Sequence, residues 1–184
     1  MPEQRITKEA VLAAALDIVR KTGYESLTAR EIANQTGCSV QPIYSLFGDM
    51  TGLVDELYEY SRLWVIDYNV SHAQEGVNLF EANGFSHLRL AKDEKNLFHF
   101  LYLSPHLKAT SAEEMFKSTS QPGVEECIQE LGGLSVDDAH ELYLNMIIFT
   151  HGLAAFIANG AQFSDEELHS RIYNAFKAFA PKEG

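Results

Sequence analysis

SLTAREIANQTGCSVQPIYSLF, residues 26–47, decides the fold. Thr28 followed three residues later by Glu31 is a capping box, so a helix is predicted to start there, with Ile32 and Ala33 turned inward and an end near Gly37. Ser39 then caps a second short helix. Two short helices joined by a tight glycine-containing turn are the outline of a helix-turn-helix. Pro42 does not break the second helix, because as its third residue it lacks an N–H that would have no intrahelical partner anyway. Position 42 has no N–H to give, so the Ser39 hydroxyl is predicted to accept from the N–H of Gln41.

On the N-terminal side, Val11, Leu12, Ala15, Leu16 and Val19 fall on one face of a helix that Thr7 can cap and Gly23 can end. After Gly48, a long helix from about Met50 to Ser71 carries Leu53, Leu57, Tyr60, Trp64 and Tyr68 on a common stripe, with no flexible linker before it. Helical patterns continue through NLFEANGFSHLRLAK, NLFHFLYLS and GVEECIQELG, with a loop or broken helix near HLKATSAEEMFKSTSQPG. Two final helices are predicted over about Val136 to Asn159 and Asp165 to Phe179. No strand alternation, repeat or low-complexity segment is present. The expected fold is all-α: an N-terminal three-helix helix-turn-helix DNA-binding domain (1–50) joined by the long helix to a C-terminal helical ligand-binding and dimerisation domain (51–184).

Charge sets a condition on any DNA contact. Of the formal net charge of −12, residues 1–50 contribute −1 and residues 51–184 contribute −11. A strongly acidic body repels polyanions, so the near-neutral N-terminal part must make the contact and the rest must face away. The start, MPEQRITKEA, has no apolar core of a signal peptide, so a cytoplasmic location is expected. LYLNMIIFTHGLAAFIANGAQF, residues 142–163, has membrane-spanning length without a charge, but Asn145, His151, Asn159 and Gln162 interrupt it and no basic flank follows. It reads as a helix buried in soluble protein, with no membrane partner.

In a helix-turn-helix the second helix enters the major groove with its N-terminal residues against base edges. Ile43 and Phe47 are expected inside, against Leu27 and Ile32, leaving Val40, Gln41, Pro42, Tyr44 and Ser45 for the groove. Gln41 suits adenine N6 and N7, and Val40 and Pro42 suit thymine methyls. No Arg or Lys lies between Cys38 and Phe47, so A·T preferences are expected there. Phosphate contacts fall to Thr28, Tyr44, the backbone N–H groups at the starts of the second and fourth helices and a few cations, Arg5, Lys8 and Arg30, and Ser39 is counted among the DNA-binding residues.

GYESLTAREIANQTGCSVQPIYSLFGDMTGL closely resembles the N-terminal DNA-binding domain of TetR-family (TetR/AcrR-like) transcriptional regulators, over about residues 7–58. Leu27 with Thr28, Ile32 with Ala33, Gly37, Ser39, Ile43 with Tyr44, Phe47 and Leu53 carry the match. The resemblance implies a homodimer on palindromic double-stranded DNA, Tyr44 and Thr28 on phosphate and base reading around Gln41. Many members have a lysine near the start of the fourth helix where this chain has Met50, as in CSVQPIYSLFGDM, which resembles a subgroup with Met there. The remaining two-thirds resembles the family in outline only.

For a small-molecule effector, Trp64, Tyr68, Phe85, Phe98, Tyr102, Phe116, Tyr143 and Phe149 are candidate walls, most of them expected to be core, and aromatic lining points to an apolar or aromatic effector. For dimerisation, Leu168, Ile172, Ala175 and Phe179 form a heptad-like stripe, and Gly152, Ala155 and Asn159 a small-residue face. Seven histidines form no hydrolase or metal pattern, Cys38 and Cys127 lack CxxC spacing, and P-loop, nucleophile-elbow and dinucleotide motifs are absent. No catalytic residue, metal or cofactor is therefore expected. The reading is a ligand-responsive regulator, a repressor more than an activator. The rivals are a regulator that has lost DNA binding and acts by protein contact, and a small helical enzyme or carrier.

Overall fold

The computed structural model describes residues 6–72, 78–107, 109–111, 113–115 and 122–181, and no strand occurs among them. The helices are α1 Lys8–Thr22, α2 Ala29–Thr36, α3 Val40–Phe47, α4 Met50–Ser71, α5 Leu79–Asp93, α6 Lys95–Phe98, α7 Val124–Gly132, α8 Val136–Ala158 and α9 Asp165–Phe179. A 3₁₀ turn, Tyr24–Ser26, follows α1, and a π turn, His99–Leu103, follows α6. By packing, the chain forms two compact units: Met1–Val70 with Glu94–Leu107, and Ser71–Asp93 with Lys108–Gly184. The long α4 is thus grouped, to Val70, with the helices before it.

Local chemistry fixes the first three helices. Thr7 Oγ1 accepts from the Ala10 N–H at 3.1 Å and Thr28 Oγ1 from the Glu31 N–H at 3.1 Å, each cap stabilising its helix by about 1 kcal/mol. Gly37 ends α2 in the left-handed region at φ 69°, which a side chain would make costly. The core of the first unit gathers Val11, Ala15, Leu16 and Val19 of α1, Ile32 of α2, Ile43 and Phe47 of α3, Leu53 and Leu57 of α4, and Leu97, Phe98, Phe100 and Leu101. Each large aliphatic side chain so buried contributes about 1.5–3 kcal/mol. Outside the core, Asp17 ties α1 to α2, accepting from Gln35 Nε2 at 2.7 Å and from Lys21 Nζ at 2.7 Å. The Lys21 hydrogen bond holds the Asp17 carboxyl below its ordinary range.

In the second unit, Phe80 of α5, Val124 and Ile128 of α7, Ala139, Leu142, Tyr143 and Met146 of α8 and Ala175 of α9 form one cluster. Ser135 caps α8 through the Asp138 N–H at 3.1 Å. α8 is long and apolar enough to cross a membrane, and its face from Ala139 through Met146 and Leu153 to Ile157 is buried inside the protein. Two polar pairs bridge α5 and α8: Asn83 Nδ2 donates to Tyr143 Oη at 2.8 Å, and His87 Nε2 lies 3.3 Å from His151 Nδ1. Burial, with His151 adding a smaller effect, pushes the His87 imidazole down to about 3. His140 does the opposite: it sits 2.6 Å from Glu125 and 3.1 Å from Glu113, and the Glu125 hydrogen bond raises its pKa.

Candidate nucleic-acid interface

α3 is seated by Ile43 and Phe47, both buried, so the opposite side of the helix is held out of the protein. Val40, Gln41, Tyr44 and Ser45 are exposed and Pro42 is half-buried, which is the face expected to read DNA. Leu46, four residues after Pro42, adds an exposed apolar edge absent from the expected set, although the i, i+4 spacing marks it. The Ser45 hydroxyl donates to its own helix at the Gln41 carbonyl, 3.0 Å away, so toward DNA it can only accept.

The Ser39 cap differs from expectation. Ser39 is the N-cap residue of α3, but its hydroxyl makes no cap bond to Gln41 or to any other N–H. In α1, α2, α8 and α9 the capping hydroxyl accepts from the third helical residue: Ala10, Glu31, Asp138 and Glu167. In α3 that residue is Pro42, which has nothing to donate, and the second residue does not take over. The Ser39 hydroxyl is therefore exposed and makes no bond to the first turn of α3.

Cations are scarcer in practice than in the sequence. Lys8 is in an ion pair with Glu56 at 2.6 Å, and its ammonium lies 5.2 Å from the Phe47 ring centre. Arg30 is exposed, and Thr28 is exposed with its oxygen accepting the cap bond. Arg5 lies outside the described residues. At the start of α4 the Asp49 carboxylate accepts the Gly52 N–H at 2.9 Å, so an acid occupies the helix end that was expected to bind phosphate. The turn there is tight: a Cβ on Gly52 would stand 2.3 Å from the Phe47 carbonyl oxygen.

Residues 11–57 match the family model described as bacterial regulatory proteins, tetR family. Over these residues the chain is similar to the TetR family's N-terminal domain. Solved structures share the fold over nearly the whole length. A TetR family protein from Vibrio parahaemolyticus is 25% identical, with 93% of this chain and 97% of that one covered and a TM-score of 0.60. A TetR-family protein from Rhodococcus sp. is 17% identical, with 94% and 97% covered and a TM-score of 0.64. A TetR family transcription regulator from Marinobacter aquaeolei VT8 is 18% identical, with 93% and 94% covered and a TM-score of 0.57. No curated protein matches the chain.

The candidate effector residues fall into two groups. Trp64 and Tyr68 stack at 5.3 Å and Phe98 lies 5.0 Å from Tyr102, all in the first unit. Burial pushes the Tyr102 hydroxyl up to about 12. Phe85 lies 4.3 Å from His169, Tyr143 is held by Asn83, and Phe149 meets Phe179 edge-on at 6.3 Å, all in the second unit. Phe98 and Tyr143 are shut off from solvent as core, and Phe116 lies outside the described residues.

Part of the candidate dimer stripe is used within the chain. Leu168 and Ala175 are 9% and 7% exposed, and Ile172 packs on the second unit's own cluster, so this face of α9 is used within the chain. Period alone cannot tell a face that meets α8 from one that meets a partner. Phe179 is exposed beside Phe149, Gly152 and Ala155 are half-buried, and exposed Asn159 donates to the Ala155 carbonyl at 2.8 Å. Among the apolar residues left outside on these two helices are Val136 (64% exposed), Ile148 (58%) and Phe156 (64%) of α8, the last two flanking Gly152 at i, i+4, i+8 spacing, and Tyr173 (61%) of α9.

Proposed function

We propose that the chain is a transcriptional repressor that binds palindromic operator DNA as a homodimer and is released by a small apolar or aromatic effector. The observation that carries the DNA reading is α3: it is anchored by buried Ile43 and Phe47, presents Val40, Gln41 and Tyr44 outward, and leaves the Ser39 hydroxyl uncapped. In this reading Gln41 reads adenine, Val40 and Pro42 meet thymine methyls, and Tyr44, Thr28, Arg30 and Ser39 hold phosphate. The dimer face is the exposed side of α8 at Ile148, Gly152 and Phe156 with Tyr173 of α9, because large apolar side chains left in water favour burial against a second copy. Two copies of α3 then meet successive major-groove faces about 34 Å apart, and effector binding lowers affinity by changing that spacing.

The test is selection from random duplex DNA by the purified protein, at low and at physiological salt. A palindrome with A·T pairs under α3 supports the reading. A second reading, regulation by protein contact without DNA, is favoured by the Lys8–Glu56 pair and by the Asp49 carboxylate at the start of α4. No enrichment at either salt from folded dimer supports that one.

A further inference from the structure

We propose that His140 is a proton-operated clasp that holds the short helical stretch Glu113–Met115 to α7 and α8, closed when its imidazole is charged and open at Glu113 when the proton leaves. Every group involved lies in the second unit. The stretch is built on local bonds: Ser111 Oγ accepts from the Glu114 N–H at 3.2 Å, and the Ser111 carbonyl from the Met115 N–H at 3.0 Å. The Glu113 carboxylate reaches out of it to His140 on α8, 27 residues along the chain.

The hydrogen count of the ring carries the argument. His140 Nδ1 lies 2.6 Å from a Glu125 carboxylate oxygen on α7, and Nε2 lies 3.1 Å from a Glu113 carboxylate oxygen. An ionised carboxylate only accepts, so both ring nitrogens must donate, and only the imidazolium has a hydrogen on each. The neutral ring satisfies one carboxylate and sets its bare nitrogen against the other. Strength decides which contact is kept: the bond to Glu125 is the shorter, and the Glu125 side chain is 30% exposed against 53% for Glu113. The remaining hydrogen therefore stays toward Glu125, and the contact to Glu113 is the one that lapses.

The other acids close to it in sequence are engaged or exposed. Glu114 turns to Thr110, accepting from its N–H and from its hydroxyl at 2.9 Å, and Asp138 accepts from the Ser135 hydroxyl at 2.7 Å. Asp137 and Glu141 on α8 and Glu126 on α7 are exposed. The hydrogen bond to Glu125 does most to raise the His140 pKa above 6.5, burial opposes it, and the bond to Glu113 adds to the rise. Linkage ties the two ends of the clasp together: if the proton strengthens the Glu113 contact, that contact strengthens proton binding by the same factor. A half-exposed pair sets the factor at about two- to fivefold.

The test follows the full chain by NMR over about pH 5 to 9, as wild type, Glu113→Gln, Glu125→Gln and His140→Gln. In the wild type the His140 ring is expected to titrate above 6.5, and the Glu114 and Met115 amide resonances to move with the same midpoint. The proton affinity of His140 is expected to fall about two- to fivefold in Glu113→Gln and further in Glu125→Gln. The movement of the two amides is expected to vanish in Glu113→Gln and in His140→Gln. Wild-type amides that stay in place through the His140 midpoint overturn the clasp. Glu113→Gln protein whose amides still follow that midpoint also overturns it, because the field of the ring alone then moves them. A His140 that titrates at or below 6.5 does the same. Glu113 is exposed, so its variant is expected to fold and decides the matter even where Glu125→Gln does not.

Discussion

α3 and α9 are both amphipathic helices, and the structure uses their apolar residues in opposite ways. α3 buries only Ile43 and Phe47 and leaves Val40, Tyr44 and Leu46 in water, whereas α9 buries Leu168 and Ala175 and leaves Tyr173 outside. The difference lies in how tightly each helix is bounded. α3 is eight residues long and ends at a glycine, in a three-helix arrangement with one core, so its inward face is forced. α9 belongs to a unit in which α8 has apolar residues on more than one side, so an apolar stripe has two possible partners.

Truncating the anchor of α3 should have the largest effect. Ile43→Ala removes a fully buried side chain and should cost the first unit about 2–5 kcal/mol, read as a lower denaturant midpoint by Trp64 fluorescence. If the change is below about 1 kcal/mol, α3 is not seated as the structure has it.

The second unit should respond to acid. The His87 imidazole has a pKa of about 3 in the folded chain against 6.5 unfolded. Its contribution to stability is therefore present above 6.5 and is lost as pH falls from 6.5 toward 3, with uptake of up to about one proton on unfolding. His140 has the opposite sign: its pKa is raised from 6.5, so its contribution is present below 6.5 and fades as pH rises through the folded value. Unfolding midpoints followed across pH should lose the acid limb in His87→Asn and the upper limb in His140→Gln. An unchanged acid limb in His87→Asn would show that other groups carry it.

The exposed faces give smaller and more selective effects. Phe156→Ser should weaken self-association by about 2 kcal/mol or more, seen as a shift toward monomer in sedimentation, with little change in the monomer's own stability. Leu168→Ala should do the reverse, destabilising the fold without a specific effect on assembly. Gln41→Ala should cost about 1–3 kcal/mol against the selected duplex and relax preference at the base pair it reads, measured by competition binding.

The features legible in the sequence were those that depend on neighbours along the chain. Thr7, Thr28 and the stops at Gly23 and Gly37 work within four residues, and the structure places each helix end where those residues stand. Met50–Ser71 and Asp165–Phe179 were legible for the same reason. The packing of Glu94–Leu107 with the first unit was not legible, because it depends on pairs such as Arg20 with Glu94, 74 residues apart, and on no local signal. The Lys8–Glu56 pair, which takes a cation away from the DNA face, was hidden likewise. The α9 stripe was visible as a pattern, but its direction was not.

Ser39 tests the comparison at its finest grain, because a residue of the right type in the right place does not do the expected work. Thr28→Ala removes a cap bond that is made, and should cost about 1 kcal/mol of stability. Ser39→Ala removes a hydroxyl that makes no cap bond, since its natural donor would be position 42 and Pro42 has no N–H; its effect on stability should be within about 0.5 kcal/mol. If the same substitution weakens binding to the selected duplex while the melting curve stays in place, the hydroxyl is spent on DNA rather than on the helix. A loss of about 1 kcal/mol in the free protein would instead mean that Ser39 caps α3 in solution through Gln41, as the local pattern alone predicts.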